Sequence, residues 1–346
     1  VSPAISFHST PKNQEHVSVT VIIVTFNAEE IIFDCLHSLN NQTFQDFDVI
    51  LVDNYSQDGT KVVVDSFQKT ANFPLKIISN KENLGFGLAT NSVLKESSSD
   101  FVALLNPDAK ADPNWLFQLV STMKQRPEVG ICGSRVLTWD GENHDCCGEI
   151  MLSSLRFFKR GEGKINEKLS SSYLFGVSAA AAIYRCEMIQ EIGFFDEEFF
   201  LQCEDTDLNF RAQLAGWKIY YKHEAKVFHR VSFSIKKKSE INIYYTLRNI
   251  EFVRLKNVPL FMFLFLSPPI FMGTLVDILY YGIKLKKMRG VIKAKRDAIL
   301  MAPTMIKKRK VIMRDIKKSG TSYLLSMVSS LYSQRQLIWS KLKKNL

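Results

Sequence analysis

From residue 17 to residue 133 the chain alternates short apolar runs with amphipathic stretches. The runs 17–27, 47–53, 75–79, 101–105 and 129–132 are rich in Val, Ile and Leu and carry no polar alternation. That pattern suits strands covered on both faces of a sheet. Between them the helical period predicts helices at about 29–41, 58–70, 86–97 and 113–125. Pro113 is expected at a helix start, where its missing N–H costs nothing. Strand and helix in alternation predict an α/β fold: a mainly parallel sheet with helices on both faces. Ligands of such sheets collect at the carboxyl ends of strands. The polar residues of this half fall there: Asn27, Asp53, Asn54, Asn106 and Asp108.

Residues 134–172 are irregular and predict loops and short strands. An Ala-rich run at 171–185 reads as one strand, 204–215 as a helix stopped by Gly216, and 217–221 and 225–228 as two short strands. Beyond 235 the pattern changes. Residues 240–257 read as a basic amphipathic helix. Residues 258–283 contain no Lys or Arg but are interrupted by Pro268 and Pro269. A straight helix of that length would be about 39 Å, enough for a bilayer core of about 30 Å. The prolines break it, however, and both flanks are basic, which favours one side of a membrane for both ends. A helical hairpin dipping into one leaflet is the expectation; a span and an ordinary buried pair are the alternatives. The basic run 307–310 and the amphipathic stretch 323–338 continue the interfacial theme.

Charge sharpens the division. The 346-residue chain carries a net +10, but residues 1–230 sum to −9 and residues 231–346 to +19. A basic tail on an acidic body seeks anionic partners: lipid headgroups, lipid diphosphates or nucleic acid. The tail's phenylalanines lie in the uncharged run, apart from its basic residues, whereas nucleic-acid stacking platforms mingle the two. No nucleic-acid partner is therefore expected. With 46% hydrophobic and 23% charged residues the chain is not mainly disordered or coiled-coil. Its six cysteines form no CxxC pair and no zinc spacing, which suits buried thiols in a reducing compartment. The first sixteen residues are polar, so no secretory leader is expected in them. No G-x-G-x-x-G, Walker A or G-x-S-x-G motif is present, which argues against dinucleotide, P-loop and α/β-hydrolase chemistry.

Chemistry-bearing residues gather in a second place. Glu204, Asp205 and Asp207 open a predicted helix inside a frame of Phe and Leu. Helix capping accounts for one acid at a helix N-terminus. Three acids in apolar surroundings point to a catalytic base. By themselves, His229 reads as structural and the segment Asn83-Leu84-Gly85-Phe86-Gly87 as a loop entering a helix.

Six segments in order carry a resemblance: VSVTVIIVTFN, VILVDNYSQDGT, NKENLGFGLATN, FVALLNPDA, GFFDEEFFLQCEDTDLNFRAQLAGWKI and VFH. Across about residues 17–235 the chain resembles family 2 glycosyltransferases, most closely the bacterial rhamnosyltransferase-like branch. The resemblance implies a GT-A fold, a nucleotide-diphosphate-sugar donor and transfer with inversion. By position, it gives Asp53 the N3–H of a uracil or thymine ring, with Asn54 beside it. It puts Thr25 and Asn27 along the nucleotide pocket, and Asn83 and Gly85 near the ribose or phosphates. Asn106 and Asp108 occupy the Asp-x-Asp position, Asn106 replacing its first acid. Asp108 would bind Mg²⁺ or Mn²⁺, with His229 near it. Asp205 would be the base, next to Glu204. The implied partners are a saccharide or polyprenyl-diphosphate-linked acceptor and an anionic membrane surface, at the cytoplasmic face. Arg248 and Arg254 are candidates to hold a lipid diphosphate or touch headgroups. The sugar expected is L-rhamnose from dTDP-rhamnose; UDP-galactofuranose, UDP-GlcNAc and an inert nucleotide-sugar-binding partner of a glycan-assembly complex are the alternatives. The expected division is an extension at 1–16, a catalytic domain at 17–235 and a membrane-associating tail at 236–346.

Overall fold

The computed structural model describes residues 18–164, 169–230 and 239–329. Strands β1 (Val19–Thr25), β2 (Phe47–Asp53), β3 (Leu75–Ser79) and β4 (Phe101–Leu105) pair in parallel in the order β3-β2-β1-β4. Every position of β1 and β4 is buried, which is why their sequences lack alternation. Helices α1 (Ile32–Asn40), α2 (Thr60–Gln68), α3 (Gly85–Val93) and α4 (Trp115–Gln125) follow β1, β2, β3 and β4. Pro113 lies just outside α4, whose first residue is Trp115. Successive residues of β1 face opposite cores. Val21 and Ile23 pack with Leu36 and Trp115, while Ile22 and Val24 pack with Val93 and Phe195.

The next elements are β5 (Ala109–Ala111), β6 (Val129–Thr138), β7 (His144–Cys146), β8 (Glu149–Met151), β9 (Phe157–Lys159), β10 (Ser172–Tyr173), β11 (Ala181–Arg185), helices α5 (Cys186–Ile192) and α6 (Glu204–Ala215), and β12 (Lys218–His229). The sheet continues from β4 as β11-β6-β12-β10, with β11 antiparallel to both neighbours; β8 and β9 form a separate hairpin. Two expectations change here. The run 171–185 is not one strand, because side chains of α6 take the backbone of its middle. Gln213 Nε2 donates to the carbonyls of Leu174 and Phe175, and Asn209 Nδ2 to that of Val177. Conversely, 217–221 and 225–228 belong to one strand, β12, with a register shift between Lys222 and Lys226. Helix α6 ends at Gly216, whose φ of 95° is left-handed and free of Cβ strain.

The C-terminal region contains α7 (Glu240–Asn257), α8 (Leu260–Phe265), α9 (Ser267–Asp277), a π-helical segment at 278–284, α10 (Met288–Val311), a second π-helical segment at 312–316 and α11 (Thr321–Ser326). Helix α7 is a core helix rather than a surface amphipathic one. Leu247, Phe252 and Val253 are fully buried, and the last two join the core that contains Ile22 and Phe199. Charge welds the same junction. Lys256 on α7 and Lys308 on α10 both bind Asp196, and Lys256 also binds Asp207 of α6, which Arg211 and Asn257 complete. Lys308 is thus a buried structural cation, not part of an exposed basic run. The double proline acts as expected: α8 stops at Phe265, and Pro268 and Pro269 sit in the first turn of α9. Among the described residues no helix is long and apolar enough to cross a membrane. The expected boundary at 235/236, the segment 1–16 and residues 330–338 of the amphipathic stretch lie outside the described residues.

Candidate active site

Three groups of polar side chains stand at and beyond the carboxyl ends of the strands. The first closes the loops after β1, β2 and β3. Asn54 is buried and makes four bonds: Nδ2 donates to Asn83 Oδ1 (2.9 Å) and to the Gly85 carbonyl, while Oδ1 accepts from Asn80 Nδ2 and the Leu84 N–H. Asp53 accepts the Ser56 N–H, Ser56 Oγ accepts the Asn27 N–H, and Asn27 Oδ1 accepts the Gln57 N–H. Asn27 is left-handed, with φ 49°, a conformation asparagine tolerates. Thr25 is fully buried; its carbonyl accepts the Asn54 N–H and its hydroxyl has no partner among the described residues. It underlies the loop rather than facing outward. Gly85 is left-handed, and a Cβ there would lie 2.4 Å from the Phe200 carbonyl oxygen. Its close approach is to the loop before α6, with no room for any other residue.

The second group centres on His229 at the end of β12. Its Nε2 lies 3.0 Å from Asp108 Oδ1 and its Nδ1 3.1 Å from Asp145 Oδ2, and Asp145 also receives Lys159 Nζ at 2.9 Å. Burial works against a charged imidazole, but the hydrogen bonds it donates to the Asp108 and Asp145 carboxylates outweigh it and push the His229 pKa up to about 9. Asp145 is itself buried, yet the His229 bond and the Lys159 charge hold its carboxyl well below the usual range. Asn106 is fixed through its backbone: its N–H donates to the Ala180 carbonyl.

The third group is Glu204 and Asp205, at the start of α6, with Glu149 of β8. Thr206 Oγ1 donates to Glu149 Oε1 at 2.9 Å and lies 3.5 Å from Asp205 Oδ1. Asp205 also accepts the N–H groups of Thr206 (2.8 Å) and Ala179 (3.3 Å). Glu204 Oε2 is buried without a partner among the described residues. Burial, then the Asp205 charge, push Glu149 and Glu204 up to about 8; burial also raises Asp205. Burial and like charge thus raise all three carboxyls, the direction that suits a group able to take a proton from a neutral hydroxyl.

Short links join the groups. The Ala179 N–H donates to Asp205, and the carbonyl of the next residue, Ala180, accepts the Asn106 N–H. In the hairpin, Glu149 of the third group is the register partner of Lys159 of the second. The Phe86 N–H, one residue after Gly85, donates to the Phe200 carbonyl of the loop that leads to Glu204. Sequence reasoning missed Asp145, Glu149 and Lys159. They sit in the irregular segment, and only the register of β8 with β9 and of β7 with β6 aims them at His229 and Asp205. Asp207 belongs elsewhere: it is a partner of Lys256 and Arg211. Arg254 is also engaged. It is 1% exposed, bound to Glu251 and the Ser154 carbonyl, and so cannot reach a headgroup or lipid diphosphate. Arg248 spans the rings of Tyr245 and Phe252 and donates to the Glu198 carbonyl.

Asp108 and His229 supply two donors of types that divalent cations accept. Asp108 Oδ1 and His229 Nε2 lie 3.0 Å apart, bonded to each other, and Asp145 on the far nitrogen is the carboxylate that metal-binding histidines commonly carry. Among the described residues no third His, Cys, Asp or Glu joins a ligand set, so a diphosphate would have to complete it.

The profile of the family described as "Glycosyl transferase family 2" matches residues 20–193. The N-acetylglucosaminyl-diphospho-decaprenol L-rhamnosyltransferase of Mycobacterium tuberculosis is 26% identical over 239 residues, covering 62% of this chain and 76% of that one. Among solved structures, S. aureus TarS 1–349 superposes with a TM-score of 0.55 at 19% identity over 85% of both chains. GalNAc-T7, crystallised with UDP, GalNAc and Mn²⁺, gives 0.59 at 14% identity over 88% of this chain and 57% of that one. Both likenesses are of fold: the GT-A arrangement of a mainly parallel mixed sheet between helical layers.

Proposed function

The chain belongs to glycosyl transferase family 2, and from that premise we propose an inverting transfer of a sugar, L-rhamnose from dTDP-rhamnose in the first instance, to a saccharide acceptor carried on a polyprenyl diphosphate. The observation that supports this reading is that residues 179 and 180 bond to the Asp205 carboxyl group and to the Asn106 backbone, two residues before Asp108, which is itself paired with His229. The rhamnosyltransferase relative, whose name specifies a diphospho-decaprenol substrate, supports the choice of sugar and acceptor.

In this reading the Asp53 and Asn54 loop holds the base and ribose. Thr25, Asn83 and Gly85 support that loop, and Asn27 forms its rim. Asp108 and His229 would hold Mg²⁺ or Mn²⁺, the imidazole favouring Mn²⁺. When bound, the cation would offset the negative charge on the departing nucleoside diphosphate. Asp145 keeps His229 in one orientation. Asp205, beside Glu204, takes the proton of the acceptor hydroxyl as that oxygen attacks the anomeric carbon from the face opposite the leaving group. A thermal-shift panel of dTDP-rhamnose, UDP-galactofuranose and UDP-GlcNAc with Mn²⁺ tests the donor. The true donor at a hundredfold excess over its Kd stabilises by about 2.7 kcal/mol, and no shift with any of them refutes the reading.

The proposed site of action is the cytoplasmic membrane surface, reached through α8, α9 and the segment after them. Phe261, Phe265 and Phe271 are 67%, 64% and 69% exposed, beside Leu260, Leu264 and Ile283. Exposed apolar surface of this size bordered by lysines suits the interface of an anionic bilayer. Six unpaired cysteines fit the reducing side. Flotation of the full chain with vesicles containing phosphatidylglycerol should be strong. Replacing the three phenylalanines by Ser should abolish it while the thermal transition is retained; unchanged flotation removes this role from the helices.

A further inference from the structure

Immediately before the Glu204–Asp205 pair, two non-glycine residues in succession are left-handed: Gln202 at φ 68° and Cys203 at φ 66°. Left-handed backbone is strained for residues with a Cβ and persists only when its surroundings hold it. The holder is Asn249, from the middle of α7 and fully buried. Its Nδ2 donates to the Leu201 carbonyl at 2.8 Å and to the Gln202 carbonyl at 2.7 Å, spending both protons on consecutive peptide groups. Its own Oδ1 accepts from Arg248 Nε at 2.8 Å, and Arg248 Nη2 in turn donates to the Glu198 carbonyl. One residue pair of α7 therefore grips the loop 198–202 at three carbonyls. The grip comes from outside residues 20–193, the part matched by the family profile.

We infer that Asn249 is a positioning residue for the transfer reaction: it holds the left-handed turn that aims the Asp205 carboxylate. This rests on the proposed role of Asp205 as base. The bond count supports a positional role over a merely packing one. An apolar residue of similar volume would fill the space but leave two buried carbonyls unpaired and the turn unsupported. Loss of the grip lets the loop relax toward right-handed or extended backbone, which swings the first turn of α6. A displacement of about 1 Å at a reacting group can cost about 10²-fold. The nucleotide loops after β1, β2 and β3 have their own bonds and are left in place.

The test uses the full chain and compares Asn249→Ala, Asn249→Ser, Asp205→Asn and the double variant Asn249→Ala with Cys203→Gly. Turnover is read as nucleoside diphosphate released from dTDP-rhamnose, or from whichever donor of the thermal-shift panel is processed. UDP with Mn²⁺ serves as the binding probe. Asn249→Ala should lower kcat by about 10–100-fold with the UDP Kd and the donor KM within about threefold. Asn249→Ser, keeping one donor, should fall between. Cys203→Gly in the Asn249→Ala background should restore part of kcat, because glycine takes the left-handed turn without strain and needs no holder. A folded Asn249→Ala protein with kcat within twofold of wild type overturns the inference, as does a kcat loss that glycine deepens. If Asn249→Ala does not fold, Asn249→Ser decides by the same split of kcat from KM. Asp205→Asn separates the two claims: near-normal turnover there sinks the role of Asp205 itself, whereas a large loss there with none at Asn249 sinks only the inference.

Discussion

The two sides of the site are built from different materials. The loops after β1, β2 and β3 are knitted mainly by neutral amides and hydroxyls, Asn54 to Asn80, Asn83 and Leu84, and Asn27 to Ser56 and Gln57, with the carboxylates of Asp53, Glu29 and Asp58 each accepting backbone N–H groups. Their partners lie about thirty residues apart, the reach of one strand-helix-strand unit. The side formed by His229, Glu149, Glu204 and Asp205 is built from buried charges, and its partners come from far along the chain: Asp108 lies 121 residues from His229, and Glu149 57 from Thr206. The difference has a physical logic. A nucleotide brings its own charge to a preformed cradle held mostly by neutral groups. A base must hold its proton equilibrium near neutrality, which takes desolvation and like charge. The first kind of site is rigid through neutral bonds; the second depends on the packing that keeps water out.

The sharpest way to break the contrast is to remove the proposed base alone. Asp205→Asn keeps the shape and can retain the shorter backbone bond, from the Thr206 N–H to Oδ1, at the loss of the longer one from Ala179 to Oδ2, so nucleotide binding should persist. Turnover should fall about 10²–10⁴-fold, measured as nucleoside diphosphate release at saturating donor. A loss that appeared in donor affinity instead would mean that the two sides are not separable. Glu204→Gln under the same assay shows whether the buried, unpartnered Glu204 Oε2 substitutes for it.

The next largest effect concerns stability rather than chemistry. Lys256 is 2% exposed and bound to Asp196 and Asp207, which also hold Lys308 and Arg211. Lys256→Ala leaves these acids buried with less positive charge, and breaking such a pair costs about 3–5 kcal/mol. Chemical denaturation should register that loss, with Asp207→Asn showing a similar but smaller one. A change below about 1 kcal/mol would show that the junction between α6, α7 and α10 is held by apolar packing alone.

How much of this was legible in the sequence follows from the same contrast. The strands β2, β3 and β4 and helices α6 and α7 lie where the apolar pattern places them; β2 and β4 are buried on both faces and leave a continuous apolar run, whereas β3, at the edge of the sheet, has the run without the burial expected of it. The amides of the first group were legible because they end such runs. Asp145 and Glu149 were not, since an acid in an irregular segment carries no period and its partner is set by strand register. The tail was misread for a related reason. Charge count suggested a surface for Arg254 and Lys308, yet both are buried, their charges matched by acids more than a hundred residues away or on the same helix. Net charge reports what a segment carries and not what it faces. The Ala-rich run 171–185 failed similarly: its middle has strand composition, but Asn209 and Gln213 of α6 compete for its backbone.

A smaller effect tests the neutral side. Asn54→Ala removes four bonds: Asn80 Nδ2 and the Leu84 N–H lose their acceptor, while Asn83 Oδ1 keeps only the Gly85 N–H. Unpaired groups of this kind cost about 1–3 kcal/mol each when they stay buried. Asn80 and Asn83 reach solvent, so the lower end applies, and UDP affinity should weaken about tenfold with little change in kcat once donor is saturating. Calorimetry with UDP and Mn²⁺ checks it. Equal loss in kcat would place Asn54 on the chemical side of the site.

The smallest effect is one of slope. Glu149 and Glu204 have pKa values raised from 4.5 to about 8 by burial and by the Asp205 charge. A raised carboxyl binds its proton more tightly folded than unfolded, so its contribution to stability is complete below the unfolded value and is lost as pH rises through the folded one. Between about pH 4.5 and 8 this cluster therefore makes the protein less stable as pH rises. His229, raised from 6.5 to about 9, adds the same sign at higher pH. Glu149→Gln keeps an acceptor for Thr206 and removes one titrating group and one like charge. The fall of the melting temperature between pH 6 and 8 should become shallower by a few degrees, with the His229 part remaining. Asp145, held low by His229 and Lys159, loses its contribution only as pH falls through the acid range, so it leaves this window untouched. An unchanged slope would mean that the third group faces water in solution and that its two sides differ less than their geometry implies.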